Sequence, residues 1–298
     1  MANLRHIRKR ITSVTNTQQI TKAMKMVAAA RLRTAEMQLK AARPYAWSLD
    51  EMIRDLLKRT GTEGQPLLKG REEPKRVELV VVTSDRGLCG SFNTNILRHA
   101  AHWLTDNGDR FEEITVSVVG RKARDFFKRR QWTIRDELIG ALGDLEFTLA
   151  QRKGQDLVET YMEEKADTIY VTYNEFVSAV SQKVVTRKLI PCRFGQIEDE
   201  KSMEEEAERE TFVDYRYEPN RARLLSGLLP LHIHFQLYRA FLESFAAEMG
   251  ARMNSMESAT NNASEMIDKL TLQYNRARQN AITNELMEII NGAEALKA

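Results

Sequence analysis

Both ends of this chain are long stretches almost free of helix breakers, and the middle is not. Met1 to Arg43 contains no proline or glycine. Leu231 to Ala298 contains no proline, and its glycines are Gly250 and Gly292. Proline removes a backbone donor and glycine carries excess chain entropy, so segments lacking both are free to run as helix. Leu4, Ile7, Ile11 and Val14 recur at three- and four-residue steps, and Ile20, Met24 and Val27 are read as their continuation, one apolar stripe on a helix. Ala28, Ala29 and Ala30 would let a second backbone approach closely. Pro44 should kink or end this helix, and Trp47, Met52, Ile53, Leu56 and Leu57 predict that it resumes as far as Gly61. A helix of that length would reach roughly 85 Å.

At the other end Phe235, Leu242, Met249, Met256, Ala263, Leu270 and Ala277 fall every seventh residue, flanked by Met253, Ile267, Tyr274 and Ala281. A sustained seven-residue repeat predicts a left-handed coiled coil. Helices this long need a face to pack on, and each end offers the other one. The alternative, each helix lying separately on the central domain, asks too small a domain to cover too long a helix.

The middle alternates. Val77–Val82, Ile114–Val119 and Thr168–Tyr173 read as strands, with Lys183–Ile190 as a fourth; Ser91–Asn107, Arg121–Arg130 and Leu145–Lys165 read as helices. That alternation predicts parallel strands with right-handed crossovers, the pattern of dinucleotide-binding folds. The expected class is therefore α/β plus a long antiparallel coiled coil, with the N- and C-terminal helices paired and a Rossmann-like α/β domain inserted. The boundaries are 1–60 for the first helix, 75–195 for the α/β domain, 196–212 for an acidic loop and 213–298 for the remainder.

Charge is uneven. Residues 1–43 carry ten lysines and arginines against Glu36 alone, which suits an acidic partner surface or simply a solvated face. Residues 198–210 carry eight acids against Lys201 and Arg209 and read as a solvated loop. No segment approaches the ~20 apolar residues of a membrane span. The first residues have no signal-peptide core, and their basic character leads straight into a patterned helix rather than a presequence. Cys89 and Cys192 are too few for a disulfide framework and lack metal spacing.

One motif sits where phosphate loops sit, between a strand and a helix: Thr83-Ser84-Asp85-Arg86-Gly87-Leu88-Cys89-Gly90-Ser91. It fits neither glycine-rich phosphate signature, and no lysine follows it. A structural turn accounts for it, with Gly87 and Gly90 taking unusual backbone angles and Ser91 capping the helix. Cys89 beside a helix N-terminus could be a nucleophile, but the nearest histidines, His99 and His102, would lie along the following helix, and a buried structural cysteine is the preferred reading. His232 and His234, two apart, do not have helical metal spacing. No acid pair marks a catalytic dyad. The basic first helix lacks the interleaved aromatics of a nucleic-acid reader.

Three stretches resemble the gamma-subunit family of the F-type ATP synthase: Ile11–Ala29, the Asp85-Arg86-Gly87-Leu88-Cys89-Gly90 turn, and Tyr274–Gln279 followed by Ile282–Ala293. They stand in family order, at both ends and the centre, and the resemblance covers essentially the whole chain. The resemblance implies a central-stalk rotor with no catalytic residue, cofactor or metal of its own, coupling proton-driven rotation to the catalytic sites of the beta subunits. It implies as partners the alpha and beta subunits of a hexamer, the epsilon subunit and the membrane ring of c subunits, with the membrane met through that ring only, at the cytoplasmic face of a bacterial inner membrane. It assigns contacts with alpha and beta to Lys22, Met24, Lys25, Arg278, Gln279, Thr283, Glu285 and Glu288. It assigns a foot to Tyr217, Glu218 and Pro219, and a structural turn to Asp85, Arg86, Gly87 and Gly90. The plastid members' redox cysteine pair has no counterpart in 193–212. The rival readings are a nucleotide-binding α/β enzyme with a dimerising coiled coil and a basic nucleic-acid adaptor.

Overall fold

A computed structural model describes residues 2–61, 64–143, 145–194, 218 and 220–295. They fall into two compact units, Met1–Ala30 with Arg252–Ala298, and Arg31–Ala251. The helices are α1 (Ala2–Thr60), α2 (Pro66–Lys69), α3 (Phe92–Asp106), α4 (Arg121–Arg129), α5 (Phe147–Met162) and α6 (Arg221–Ala295). The strands are β1 (Arg76–Val82), β2 (Glu113–Val119), β3 (Ile134–Leu138), β4 (Thr168–Phe176) and β5 (Gln182–Ile190).

In the first unit two antiparallel helix segments pack along a seam. The Thr21 and Thr260 hydroxyls meet at 2.8 Å, and Lys25 Nζ reaches Glu257 Oε1 at 2.6 Å. The shielded positions on α1 include Leu4, Ile7, Ile11, Val14, Gln18, Thr21, Lys25 and Ala28, with Thr15, Met24 and Ala29 half-buried beside them. They repeat in sevens, as coiled-coil seam positions do. This corrects the expected stripe. Ile20 and Val27 point outward, 60% and 56% exposed, because the seam keeps its seven-residue period through polar Gln18, Thr21 and Lys25 rather than following apolarity. On α6 the predicted repeat holds: Met256, Ala263 and Leu270 are buried, with Ile267, Tyr274, Ala277 and Ala281 half-buried beside them.

In the second unit the remainder of α1 buries Leu32, Ala35, Leu49, Ile53 and Leu56. Tyr45 stacks obliquely on Phe235 of α6, ring centroids 5.2 Å apart. Pro44 lies inside α1 without ending it; one lost hydrogen bond is outweighed by burial before it at Leu32 and Ala35 and after it at Leu49, Ile53 and Leu56. The helix stops at Gly61, which donates to Leu57 O and takes φ +72°, a conformation glycine reaches without a Cβ penalty. α6 begins ten residues before Leu231 and runs through Pro230.

The sheet order is β3-β2-β1-β4-β5. β1 to β4 are parallel, as expected, but β5 returns antiparallel to β4 through a short hairpin. β3 has no counterpart among the predicted strands: Ile-Arg-Asp-Glu-Leu is an edge strand whose charges ion-pair, so it shows no apolar run. One face of the sheet buries Leu79, Val81, Val116 and Val118 under Phe92, Ile96, Ala100 and Leu104 of α3 and Ala123 and Phe127 of α4. On the other face Lys153 of α5 reaches over to Ser117 of β2. Asp167 ties the sheet's N-terminal edge together, accepting from the Lys75 and Arg76 amides at 2.9 and 2.8 Å and pairing with Arg71 and Arg76.

α5 meets α6 at Gly154, where an added Cβ would lie 2.5 Å from His234 Cδ2. His232 and His234 are both buried. His232 stacks against Phe194 at 4.8 Å, and burial depresses its pKa to about 4. Its ordinary value near 6.5 returns on unfolding, so the unfolded chain takes up the proton first. The stability this neutral histidine supports is complete above about pH 6.5 and falls as pH drops towards 4, by about 3 kcal/mol in all. Urea midpoints measured from pH 7 to pH 5 should decline, and His232→Phe should flatten that decline; an unchanged slope would show that His232 is not the group.

Candidate functional site

The turn after β1 is held by its own residues. Ser84 Oγ donates to Arg86 O at 2.6 Å, and Asn93 of α3 accepts from the Ser84 amide at 3.0 Å through Oδ1 while its Nδ2 donates back to Ser84 Oγ and to Cys89 Sγ. The Asp85 carboxylate accepts from the Arg121 amide at the start of α4 and from the Gly140 amide after β3, both at 3.0 Å. Thr83 Oγ1 accepts from the Ala123 amide and donates to Val119 O. The motif is thus a clasp joining β1, α3, α4 and the loop after β3.

Gly90 takes a positive φ, as expected, but its companion is Leu88 (φ +64°), not Gly87. Leu88 is 63% exposed, so it adopts the left-handed region with no steric neighbour to aggravate the strain. Ser91 stands at the N-cap without a side-chain capping bond; its hydroxyl instead accepts from Asn95 Nδ2. Cys89 is buried. Among the described residues no group of three or more acids, histidines or cysteines is placed to hold a metal.

The residues assigned to partner contact lie in the first unit. Lys22 is exposed, Met24 half-buried, and Lys25 is engaged by Glu257 across the seam. Such an exposed pair is worth only about 0–1 kcal/mol, so it exchanges readily for another acid. Arg278, Gln279, Thr283 and Glu285 are exposed along α6, the Thr283 hydroxyl donating to Gln279 O of its own helix. Glu288 lies on the same helix. In an antiparallel pair each step up one helix is a step down the other. The register that sets Thr21 against Thr260 therefore brings Ala2 level with Gln279, and α6 from Asn280 to Ala295 extends about 24 Å beyond it. That overhang carries Ile282, Leu286, Met287, Ile289 and Ile290, each between 48% and 67% exposed. Of the residues assigned to a foot, Glu218 is exposed; Tyr217 and Pro219 lie outside the described residues, as does the acidic stretch 198–210.

Sequence reasoning missed an ionic cluster at the β3 edge. Glu78, fully buried on β1, accepts from Arg135 at 2.8 Å and from Ser117. Arg135 also grips Asp156 with two hydrogen bonds, and Lys153 bridges Asp156 and Asp136 at 2.9 and 2.8 Å. The Arg135 guanidinium, with help from Lys153, holds the Asp156 carboxyl down at about 2. Glu78 inside an otherwise apolar strand was the available signal.

Fold and site together define a class: a long-helix protein with a Rossmann-like domain whose would-be ligand loop is closed on itself and whose assigned contact residues lie on a helical pair and on the α6 overhang beyond it. A family model described as ATP synthase matches residues 3–296. The ATP synthase gamma chains of Anaeromyxobacter sp. (strain K) and Geobacter metallireducens are each 49% identical over the whole of both chains. Among solved structures, the central stalk and c-ring of the Tetrahymena thermophila mitochondrial ATP synthase matches with TM-score 0.60 and 25% identity over 80% of this chain and 99% of that one. A Euglena gracilis mitochondrial OSCP/F1/c-ring structure matches in fold, with TM-score 0.66 and 21% identity over 99% of this chain and 95% of that one. The chain belongs to the ATP synthase gamma-chain family. It is a central-stalk subunit of the ATP synthase.

Proposed function

We propose that the chain is the non-catalytic rotor of its synthase, passing proton-driven rotation of a c-ring to the catalytic sites of the beta subunits. The observation that carries this is the helical pair of the first unit. Its seam keeps a seven-residue period, while its outer face exposes Lys22, Arg278 and Gln279, and the α6 overhang beyond it exposes Thr283 and Glu285. A shaft must resist unwinding, which the seam provides, and must slide past its neighbours, which requires individually weak outer contacts. An asymmetric shaft changes each beta site only through its different affinity for that site's conformations.

In this reading Lys22, Met24 and Lys25 face an acidic lever of beta, and Arg278 to Glu288 face the alpha–beta hexamer. Tyr217, Glu218 and Pro219 belong to a foot that meets epsilon and the c-ring, and the Asp85–Gly90 clasp is structural. The working division is residues 1–60, 75–195, 196–212 and 213–298. No helix among the described residues is long and apolar enough to cross a membrane, which fits a peripheral place on the cytoplasmic face of a bacterial inner membrane.

The test is to purify the tagged chain from its native membranes and assay ATPase with and without residues 282–298. Recovery of an alpha–beta hexamer whose coupled turnover drops several-fold on deletion is the expected result. Recovery of no such partners, with saturable nucleotide binding by the chain alone, would overturn the proposal.

A further inference from the structure

The dipeptide Asn-Gly stands at Asn107–Gly108, in the turn after α3, and again at Asn291–Gly292, within α6. Asparagine is a labile side chain, most of all before glycine, because the next amide nitrogen can attack the side-chain carbonyl and glycine has nothing to obstruct it. In the closed turn that attack has no path. Asn107 caps α3 with φ −108° and ψ 2°, which sets the Gly108 nitrogen beside Asn107's own nitrogen and away from Asn107 Cγ. Asn107 Nδ2 donates to Trp103 O at 2.8 Å, the Asn107 amide donates to the same oxygen at 3.1 Å, and the Gly108 amide donates to Thr105 O at 3.3 Å. These bonds belong to a short segment between two anchors. Before it Leu104 is fully buried and Trp103 packs on Tyr170 at 4.9 Å. After it Phe111 is buried, and the Glu112 and Glu113 amides donate to Lys75 O at 2.9 and 3.1 Å. Between the anchors Thr105, Asp106, Gly108, Asp109 and Arg110 are exposed and Asn107 is half-buried. A segment held by a few solvent-facing hydrogen bonds opens at far less cost than the domain unfolds.

We propose that Asn107 is a deamidation site, reached by local opening of residues 105–110 rather than by unfolding of the domain. In the open segment the Gly108 nitrogen attacks Asn107 Cγ. Its proton departs with the side-chain nitrogen as ammonia, and a succinimide ring joins the two residues. Water then opens the ring at either carbonyl, giving aspartate or isoaspartate with no change of oxidation state. The product does not close the turn as asparagine did. A carboxylate cannot replace the Nδ2 donor to Trp103 O, and its charge stands against the unpaired carbonyls at the C-terminus of α3. Isoaspartate also lengthens the main chain by one methylene. Each event is therefore permanent, and the modified fraction records the age of the chain. The inference is independent of the rotor reading.

Incubation of the full chain in mildly alkaline buffer, followed by tryptic mapping with mass spectrometry, tests it. The peptide His99–Arg110 holds Asn107 and no other asparagine, so Asn291 reads separately. The expected result is a deamidated His99–Arg110 peptide containing isoaspartate, formed more slowly than in the free synthetic peptide but by no more than about a thousandfold. Local opening exposes little surface, so the rate should stay within about twofold across urea concentrations below the unfolding transition. Gly108→Ala fits the closed turn, its added Cβ in ordinary contact 3.4 Å from Leu104 O and Thr105 O. By obstructing the attack it should slow the reaction about tenfold or more. No modified peptide within the thousandfold limit would overturn the proposal. So would a rate that climbs with urea in step with the unfolded fraction, which assigns the reaction to global unfolding. A Gly108→Ala rate equal to the parent's would overturn it as well, because it rules out the succinimide route.

Discussion

Gly120→Ala should destabilise the α/β domain by about 4 kcal/mol, among the largest effects a single methyl group produces. Gly120 takes φ +92°, where an L side chain is strained whatever the space around it. Here the space is also filled: an added Cβ would lie 2.2 Å from Thr83 O and 2.9 Å from Thr83 Oγ1. The clash falls on backbone that cannot retreat. Thr83 N donates to Val119 O at 2.8 Å, and Thr83 Oγ1 is held by the Ala123 amide at 2.9 Å. Relief would have to part β1 from the start of α4 and open the clasp that Asp85 closes. Gly87→Ala is the control, since nothing stands within 4 Å of its added Cβ, and it should change stability by no more than about 0.5 kcal/mol. Urea titrations followed by circular dichroism separate the two. Equal midpoints for G120A and G87A would show that β1 and α4 are not locked as described.

Lys153→Met should cost about 3 kcal/mol, because it removes one member of an ionic cluster and leaves the rest in place. The Lys153 side chain is only 4% exposed and holds Asp136, Asp156 and Ser117 together. Methionine fills the same volume, so the loss is electrostatic rather than a cavity. Asp136 and Asp156 are each 42% exposed, so water recovers part of what they lose and the cost stays below that of a wholly buried pair. Glu78 has no such recourse. Fully buried, it keeps Arg135 and Ser117 as its direct partners but loses the nearby Lys153 charge that Ser117 also binds. The double variant Lys153→Met with Asp136→Asn should recover part of the loss, since it removes a carboxylate along with its partner. If the double variant is less stable than K153M by the full cost of D136N alone, the two residues are not coupled.

How much of this was legible in the residues differs from element to element. The seven-residue repeat of α6 could be read from Met249, Met256, Ala263 and Leu270 because those positions are apolar and the spacing survives every intervening residue. The matching repeat of α1 could not be read through its middle. Gln18, Thr21 and Lys25 hold seam positions while apolar Ile20 and Val27 face outward, and apolarity was the signal being followed. Four strands announced themselves as β-branched runs. β3 did not, because its charges are satisfied by residues of α4, α5 and β1, and no pattern within the strand itself shows that they are paired.

The sequence by itself determined the two long helices, their period, the α/β alternation and, through three ordered motifs, the family. Each is local or repetitive information, written in residues that are neighbours along the chain or one helical turn apart. Only the tertiary structure decided that Asp85 and Asn93 close the turn as a clasp, that Glu78 is buried against Arg135, and that β5 reverses the parallel sheet. Those outcomes depend on pairing between segments distant in sequence, where a charge has one cost alone and another beside its partner, and no local pattern carries the identity of the partner.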